Sequence, residues 1–193
     1  DSVEALTGDS FATDFDWGRY ERIIDVGGSR GAKALTILQQ HRRLKALIVD
    51  RPQVIEEAKR YWAARSANGI ERVRFQAGDV LSSIPLAESE KDIYLLSAVL
   101  HGFDDKTSIT ALRNVANASG ATDARIALLE MVLPERGADA AGASFDMQMF
   151  MGSRGRERTL SEWTTLFNEA ELVLEEVVGL QSFGNILVLR RRK

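Results

Sequence analysis

The stretch IIDVGGSRGA, residues 23–32, decides the fold class. Ile23-Ile24-Asp25-Val26 is a short run rich in β-branched residues, and Gly27-Gly28-Ser29-Arg30-Gly31 turns it into a segment where Ala34, Leu35 and Leu38 recur at helical spacing. Strand, glycine turn and helix in that order open a βα unit. Glycine in such a turn lets the backbone approach a ligand closely, and the helix start presents free N–H groups. The same rhythm continues outward. LKALIVD (44–50) reads as a second strand, and Pro52 sits at a first helical position ahead of Val54, Ile55, Ala58, Tyr61 and Trp62. A short third strand, 73–75, ends at Gly78-Asp79. A buried fourth strand, IYLLSAVL (93–100), precedes a helix capped by Asp104 or Asp105, with Ile109, Leu112 and Val115 on one face. A fifth strand over 126–132, a helix near 161–170 and a terminal pair near 172–180 and 185–190 follow. The link Phe183-Gly184-Asn185 between that last pair suits an antiparallel connection, whereas the earlier steps need helical crossovers. The pattern predicts an α/β fold: a Rossmann-like, seven-stranded, mostly parallel sheet with helices on both faces and the last strand antiparallel.

Composition narrows the class. The 193 residues hold no cysteine, 25 Lys+Arg against 28 Asp+Glu, and 45% hydrophobic residues. That is apolar content enough for one core, and it excludes a disulfide scaffold or a thiolate metal site. A net charge of −3 gives no basic face for nucleic acid. No apolar stretch approaches the ~20 residues needed to span a bilayer, and the start lacks a signal pattern, so a cytoplasmic setting is expected. The closing Arg190-Arg191-Arg192-Lys193 reads as a solvated tail.

In open α/β sheets ligands bind beyond the carboxyl ends of the strands, where the strand order reverses. The strands deliver to that edge Asp25 with the glycine turn, Asp50, Asp79, His101 and Glu130. Each alone could be a helix cap or a satisfied surface group; together, at successive strand ends, they are hard to explain as caps. The dinucleotide pattern G-x-G-x-x-G fails at Ser29 and Ala32. Asp50 is placed to accept from two ribose hydroxyls, Asp79 stands near where an adenine amino group would lie, and nothing basic is arranged for a pyrophosphate. The ligand reads as a nucleoside without phosphates, and no metal is expected.

Six motifs carry a resemblance: DVGGSRGA (25–32), LIVDRPQVIEEA (47–58), GDVLSSIP (78–85), LLSAVLHGFDD (95–105), LLEMVLPE (128–135) and GRERTLSEW (155–163). In order and spacing, over about residues 12–190, the chain resembles the catalytic domain of class I S-adenosylmethionine-dependent O-methyltransferases of the caffeate and hydroxyindole type, enzymes of secondary metabolism. The resemblance implies that Asp25, Gly27, Gly28 and Ser97 belong to the cofactor site with Asp50 at the ribose and Asp79, Val80 and Phe103 around the adenine. It implies that His101 is the general base, flanked by Glu130 and Glu157, and that the products are a methylated acceptor and S-adenosylhomocysteine. Met147, Phe150 and Met151 are expected to line the pocket of a small hydroxylated aromatic or polyketide-like acceptor; three of the chain's four methionines fall between 147 and 151, and thioethers suit aromatic faces. The family also implies a preceding helical region that dimerises and closes the acceptor pocket. Residues 1–20 are then a lead-in, 21–193 the S-adenosylmethionine-binding methyltransferase domain, and the full-length form a homodimer.

Methyl transfer from a sulfonium is chiefly a positioning problem. An imidazole of pKa ~6.5 removing a proton from a phenol of pKa ~10 faces a step of about 3.5 units, roughly 4.8 kcal/mol. Proton removal is therefore expected to accompany attack, helped by carboxylates that stabilise the imidazolium. The chain has two histidines, and His41 lies in a polar turn away from the strand ends. Ser29, Gly102 and Phe103 depart from the family's usual Gly, Asp and Trp. Two other readings stand beside methylation: a repurposed relative that keeps the cofactor for decarboxylation, hydroxylation or a pericyclic step, and a non-catalytic cofactor-binding domain.

Overall fold

The computed structural model describes residues 8–120, 122–137, 146–147, 151, 155–182 and 184–193. Seven strands form one sheet in the order β3-β2-β1-β4-β5-β9-β8. They are β1 (Arg22–Val26), β2 (Lys45–Asp50), β3 (Val73–Ala77), β4 (Asp92–Ser97), β5 (Arg125–Glu130), β8 (Leu172–Gly179) and β9 (Asn185–Arg191). β1 to β5 are mutually parallel, and β9 inserts antiparallel to both β5 and β8. Two short strands, β6 (Val132–Leu133) and β7 (Arg158–Thr159), pair in a separate parallel ladder. The order steps outward from β1 to β3 and resumes on the other side of β1 with β4, which opens a crevice at the carboxyl ends of β1 and β4.

The central strands are apolar at nearly every position because both their faces are covered. Ile23, Ile93, Leu95, Ala127 and Leu129 enter one core with α1 (Ala32–Gln40) and Ile55 of α2 (Pro52–Ala63). Their neighbours Ile24, Tyr94, Leu96, Ile126 and Leu128 enter a second core with α3 (Asp105–Ser119) and α4 (Leu160–Glu169). Each fully buried Ile or Leu contributes roughly 1.5–3 kcal/mol, so the sandwiched sheet is the rigid part that carries the strand-end residues. Arg72, at the entry to β3, closes α1: its guanidinium donates to the carbonyls of Leu38, His41 and Leu44 at 2.8–2.9 Å.

The architecture is the expected one, with four local differences. β3 runs on to Ala77, while β4 stops at Ser97 rather than Leu100. The apolar run does continue, but Ala98 takes a positive φ of 54° and the chain folds into a 3₁₀ turn over Leu100–Gly102. The fifth strand ends at Glu130, and Val132–Leu133 leaves to pair with Arg158–Thr159. Finally, no break in packing separates the lead-in from the domain: Phe11, Ala12, Phe15, Trp17 and Tyr20 are buried in the first core. The basic tail is tied down too, Arg190 pairing with Glu175 at 2.9 Å and Lys193 with Asp123 at 3.0 Å. No helix among the described residues is long and apolar enough to cross a membrane.

Candidate active site

The crevice is a cleft of about 850 Å³ whose lining includes Asp25, Gly27, Gly28, Ser97 and His101, with Tyr61 and Trp62 of α2 on its outer wall. The β1–α1 turn is shaped by its small residues. A side chain at Gly28 would place its first carbon 2.6 Å from the Asp25 carboxylate. Ser29 takes the left-handed conformation, φ 52°, at a cost of roughly 1–2 kcal/mol for a residue other than glycine. Its N–H donates to Asp50 Oδ2 at 2.9 Å, which holds the turn in that shape. Asp50 Oδ1 accepts from the Arg51 N–H at 2.8 Å. Asp25 is buried, and desolvation pushes its carboxyl up to about 7, with Lys33 opposing and Asp50 reinforcing the shift.

Asp79 organises a tight turn, accepting from the Leu81 N–H at 2.8 Å while its own N–H donates to the Ser83 carbonyl. The Val80 carbonyl accepts from Asn114 Nδ2 at 2.8 Å. Asp50, Asp79, Val80 and Phe103 are not part of the cleft's lining, though Asp50 bonds Ser29, which is. Ser97 lines the cleft, and its Oγ is buried without a hydrogen-bond partner among the described residues.

His101, Glu130 and Glu157 come together although they belong to three separate segments. His101 Nδ1 stands 3.2 Å from Glu157 Oε1 and 3.6 Å from Glu130 Oε2. Burial alone would lower the imidazole pKa, but the hydrogen bond to Glu157 and the charges of both carboxylates outweigh it and Arg158, and the net direction is up. Glu130 is buried, and desolvation pushes its carboxyl up to about 7 against the pull of His101 and of two amides. Those amides are Val99 N–H and Leu100 N–H, donating to Glu130 Oε1 at 3.1 and 3.0 Å. They explain the early end of β4: a carboxylate on the neighbouring strand captures the backbone that would otherwise extend it. With the Nδ1 proton donated to Glu157, Nε2 carries the lone pair, as a base requires. The three side chains offer atoms within 4.8 Å of one another, spacing that could also serve one metal ion.

Glu157 is delivered by a strand-like segment laid against the His101 turn. The Arg156 N–H donates to the His101 carbonyl at 2.9 Å, and the Glu157 N–H donates to Asp146 Oδ1 at 2.9 Å. Gly155 permits the approach, since a side-chain carbon there would lie 1.9 Å from the His101 carbonyl oxygen. The residue the sequence reading passed over is Arg158. A cation in a charged run reads as exposed, yet this one is wholly buried. A signal was present: Thr159 and Glu162 form a capping box that fixes the start of α4, so Arg158 and Trp163 hold the positions where a staple across the helix start is expected. The Arg158 guanidinium lies 4.9 Å from the Trp163 ring centroid.

Of the expected acceptor-lining residues, the two that are described are not part of the cleft's lining. Met147 and Met151 are 58% and 79% exposed and Phe150 lies outside the described residues. The two that are described face solvent.

A family model described as an O-methyltransferase domain matches residues 1–172. The chain is 31% identical over 179 residues to an 8-amino-8-demethylriboflavin N,N-dimethyltransferase of Streptomyces davaonensis, covering 92% of this chain and 49% of that protein. It is 30% identical to the phenazine O-methyltransferase PhzM of Lysobacter antibioticus, covering 91% and 50%. Among solved structures, LaPhzM superposes with a TM-score of 0.86 at 29% identity over 94% of this chain and 53% of that one. NcsB1, an O-methyltransferase from neocarzinostatin biosynthesis solved with S-adenosyl-L-homocysteine and 1,4-dihydroxy-2-naphthoic acid, gives 0.81 at 27% identity, covering 94% and 52%. The chain spans about half the length of the curated relatives it matches.

Proposed function

This chain belongs to the O-methyltransferase domain family, and from that premise we propose that it transfers a methyl group from S-adenosylmethionine to a hydroxyl of a small aromatic or polyketide-like secondary metabolite, with His101 as general base. The observation that carries the reading is the imidazole on the cleft wall with its Nδ1 side backed by two buried carboxylates. The cofactor fits the cleft. Asp25 lines it, and a cationic ligand group beside that carboxyl, which burial pushes up to about 7, would favour its ionised form and gain a charged partner. Gly27 and Gly28 would carry the backbone past the amino acid end, Asp50 would turn its carboxylate from the Ser29 amide to the ribose, and Asp79, Val80 and Phe103 would border the adenine.

Bound S-adenosylmethionine supplies an electrophilic methyl on a positively charged sulfur. His101 Nε2 accepts the acceptor's hydroxyl proton as the new O–C bond forms and the C–S bond breaks. The imidazolium that results is stabilised by Glu157 and Glu130, which answers the uphill proton transfer of roughly 4.8 kcal/mol between a free phenol and a free imidazole. In this reading the domain, with its packed lead-in, is the catalytic unit of a longer homodimeric enzyme whose remaining part closes the acceptor pocket, and exposed Met147 and Met151 face that part.

Calorimetry with S-adenosylmethionine, followed by product mass with a panel of hydroxylated aromatics, tests the reading. A product heavier by one methylene unit is expected from the parent, and His101→Gln should abolish turnover while cofactor affinity stays nearly intact. Unchanged turnover in the variant would remove His101 from the mechanism; no binding at millimolar cofactor would remove the reading altogether. The similarity to an N,N-dimethyltransferase makes aromatic amines the second panel to try.

A further inference from the structure

We propose that Arg158 is a positioning residue for the base: its buried guanidinium grips the backbone on both sides of His101 and holds the imidazole in reach of Glu157 and Glu130. The inference rests on the reading of His101 as the base, and on geometry that is independent of it.

The His101 turn has little structure of its own. It is one 3₁₀ turn, Leu100–Gly102, closed by bonds of 3.3 Å from the Gly102 N–H to the Val99 carbonyl and 3.1 Å from the Phe103 N–H to the Leu100 carbonyl. Such a turn does not fix a side chain to the tolerance that proton transfer demands. It is held instead from outside. Arg158 Nη1 donates to the Leu100 carbonyl at 3.2 Å and Nη2 to the Phe103 carbonyl at 2.8 Å, one residue before and two after His101. Nε donates to Asp105 Oδ1 at 3.0 Å, and Nη2 also reaches Ser108 Oγ at 3.3 Å. Ser108 Oγ itself donates to the Leu100 carbonyl at 3.4 Å. The planar fork thus ties the turn to the start of α3, a task that a single ammonium cannot perform.

Burying a guanidinium costs several kcal/mol unless its donors are met, and a purely structural plug at this place could be apolar. What an apolar plug would lack is the link between neighbours in sequence: Arg156 bonds the His101 backbone, Glu157 its ring and Arg158 its flanks, so the segment sets the turn and the carboxylate against each other as one unit. The charged groups around the imidazole are Glu130 on β5, Glu157 and Arg158 before α4, and the cleft lining it shares also holds Asp25, Arg30, Lys33 and Glu57.

The test is Arg158→Lys, which keeps the charge and loses the fork. The His101 ring is titrated by NMR, with His41→Gln identifying the only other histidine. Positioning requires that the imidazole drift from Glu157, so its midpoint should fall toward the free value of about 6.5 while cofactor affinity changes less than about threefold and kcat falls roughly tenfold or more at little change in acceptor KM. In Arg158→Ala, added guanidinium ion should restore part of the lost kcat. An unchanged midpoint with kcat within about twofold of the parent overturns the proposal, whatever happens to Tm. Should Arg158→Lys fail to fold, Ser108→Ala takes its place, with a smaller fall in the midpoint expected and no shift overturning. A parent that binds cofactor but methylates nothing would count against His101 as base, while the titration still decides Arg158.

Discussion

Replacing Glu130 by Gln should make the protein more stable at pH 8 and less able to serve its reaction. The carboxyl is pushed from 4.5 up to about 7 by burial. Below pH 4.5 it is protonated in the folded and unfolded chains alike and costs nothing. Between 4.5 and 7 the unfolded chain ionises while the folded one does not, so stability is lost as pH rises through this window, and above 7 the full cost applies. At about 1.36 kcal/mol per unit that cost is about 3 kcal/mol at pH 8 and under about 1 kcal/mol at pH 5. Gln removes the charge and keeps an oxygen for the amides of Val99 and Leu100. It also puts an N–H donor where Glu130 Oε2 faced His101 Nδ1 at 3.6 Å. Urea unfolding of parent and variant without cofactor at the two pH values reads the effect: a gain at pH 8 that exceeds the gain at pH 5 by about 2 kcal/mol. Methyl transfer should fall roughly 10–100-fold, because the imidazolium loses one partner and the new donor favours the wrong tautomer. A variant less stable than its parent at pH 8, or a gain equal at both pH values, would refute the reasoning.

Gly28→Ala should weaken S-adenosylmethionine binding roughly tenfold or more by calorimetry and lower stability by about 1–3 kcal/mol, since its new carbon would meet the Asp25 carboxylate at 2.6 Å; unchanged affinity would separate this turn from the cofactor. Arg72→Met should cost about 2–3 kcal/mol in urea unfolding, because it strips three carbonyls of a charged donor, while cofactor affinity of the folded protein stays at the parent value.

The sheet was legible because its central strands are covered on both faces, which leaves unbroken runs such as Ile126 to Leu129 whose side chains alternate between two cores. The polar residues closing those runs, Asp25 and Glu130 among them, were legible for the same reason: each follows an uninterrupted apolar run near the carboxyl end of its strand. Where β4 ends was not legible. Val99 and Leu100 look like more strand, and the group that stops them is a carboxylate on another strand. Arg158 was hidden by a general expectation that arginines in charged runs are solvated, which holds until the carbonyls of a distant turn satisfy one. The lead-in looked polar because its acidic residues outnumber its aromatics by eye; Phe11, Phe15 and Trp17 are spaced to turn inward once the chain bends twice into 3₁₀ turns.

The place of β9 bears on how the chain is made. β5, which carries Glu130, has β4 on one side and β9 on the other, and Glu130 pairs with Asn185. A ribosome delivers the first five strands well before the strand that must lie beside the fifth. At about 5–20 residues per second the open edge of β5 waits several seconds, offering unpaired backbone next to an apolar face that any passing strand could occupy. Slow codons or a chaperone pause would matter most between residues 131 and 184, and the acidic site on β5 would be among the last parts of the nascent protein to close.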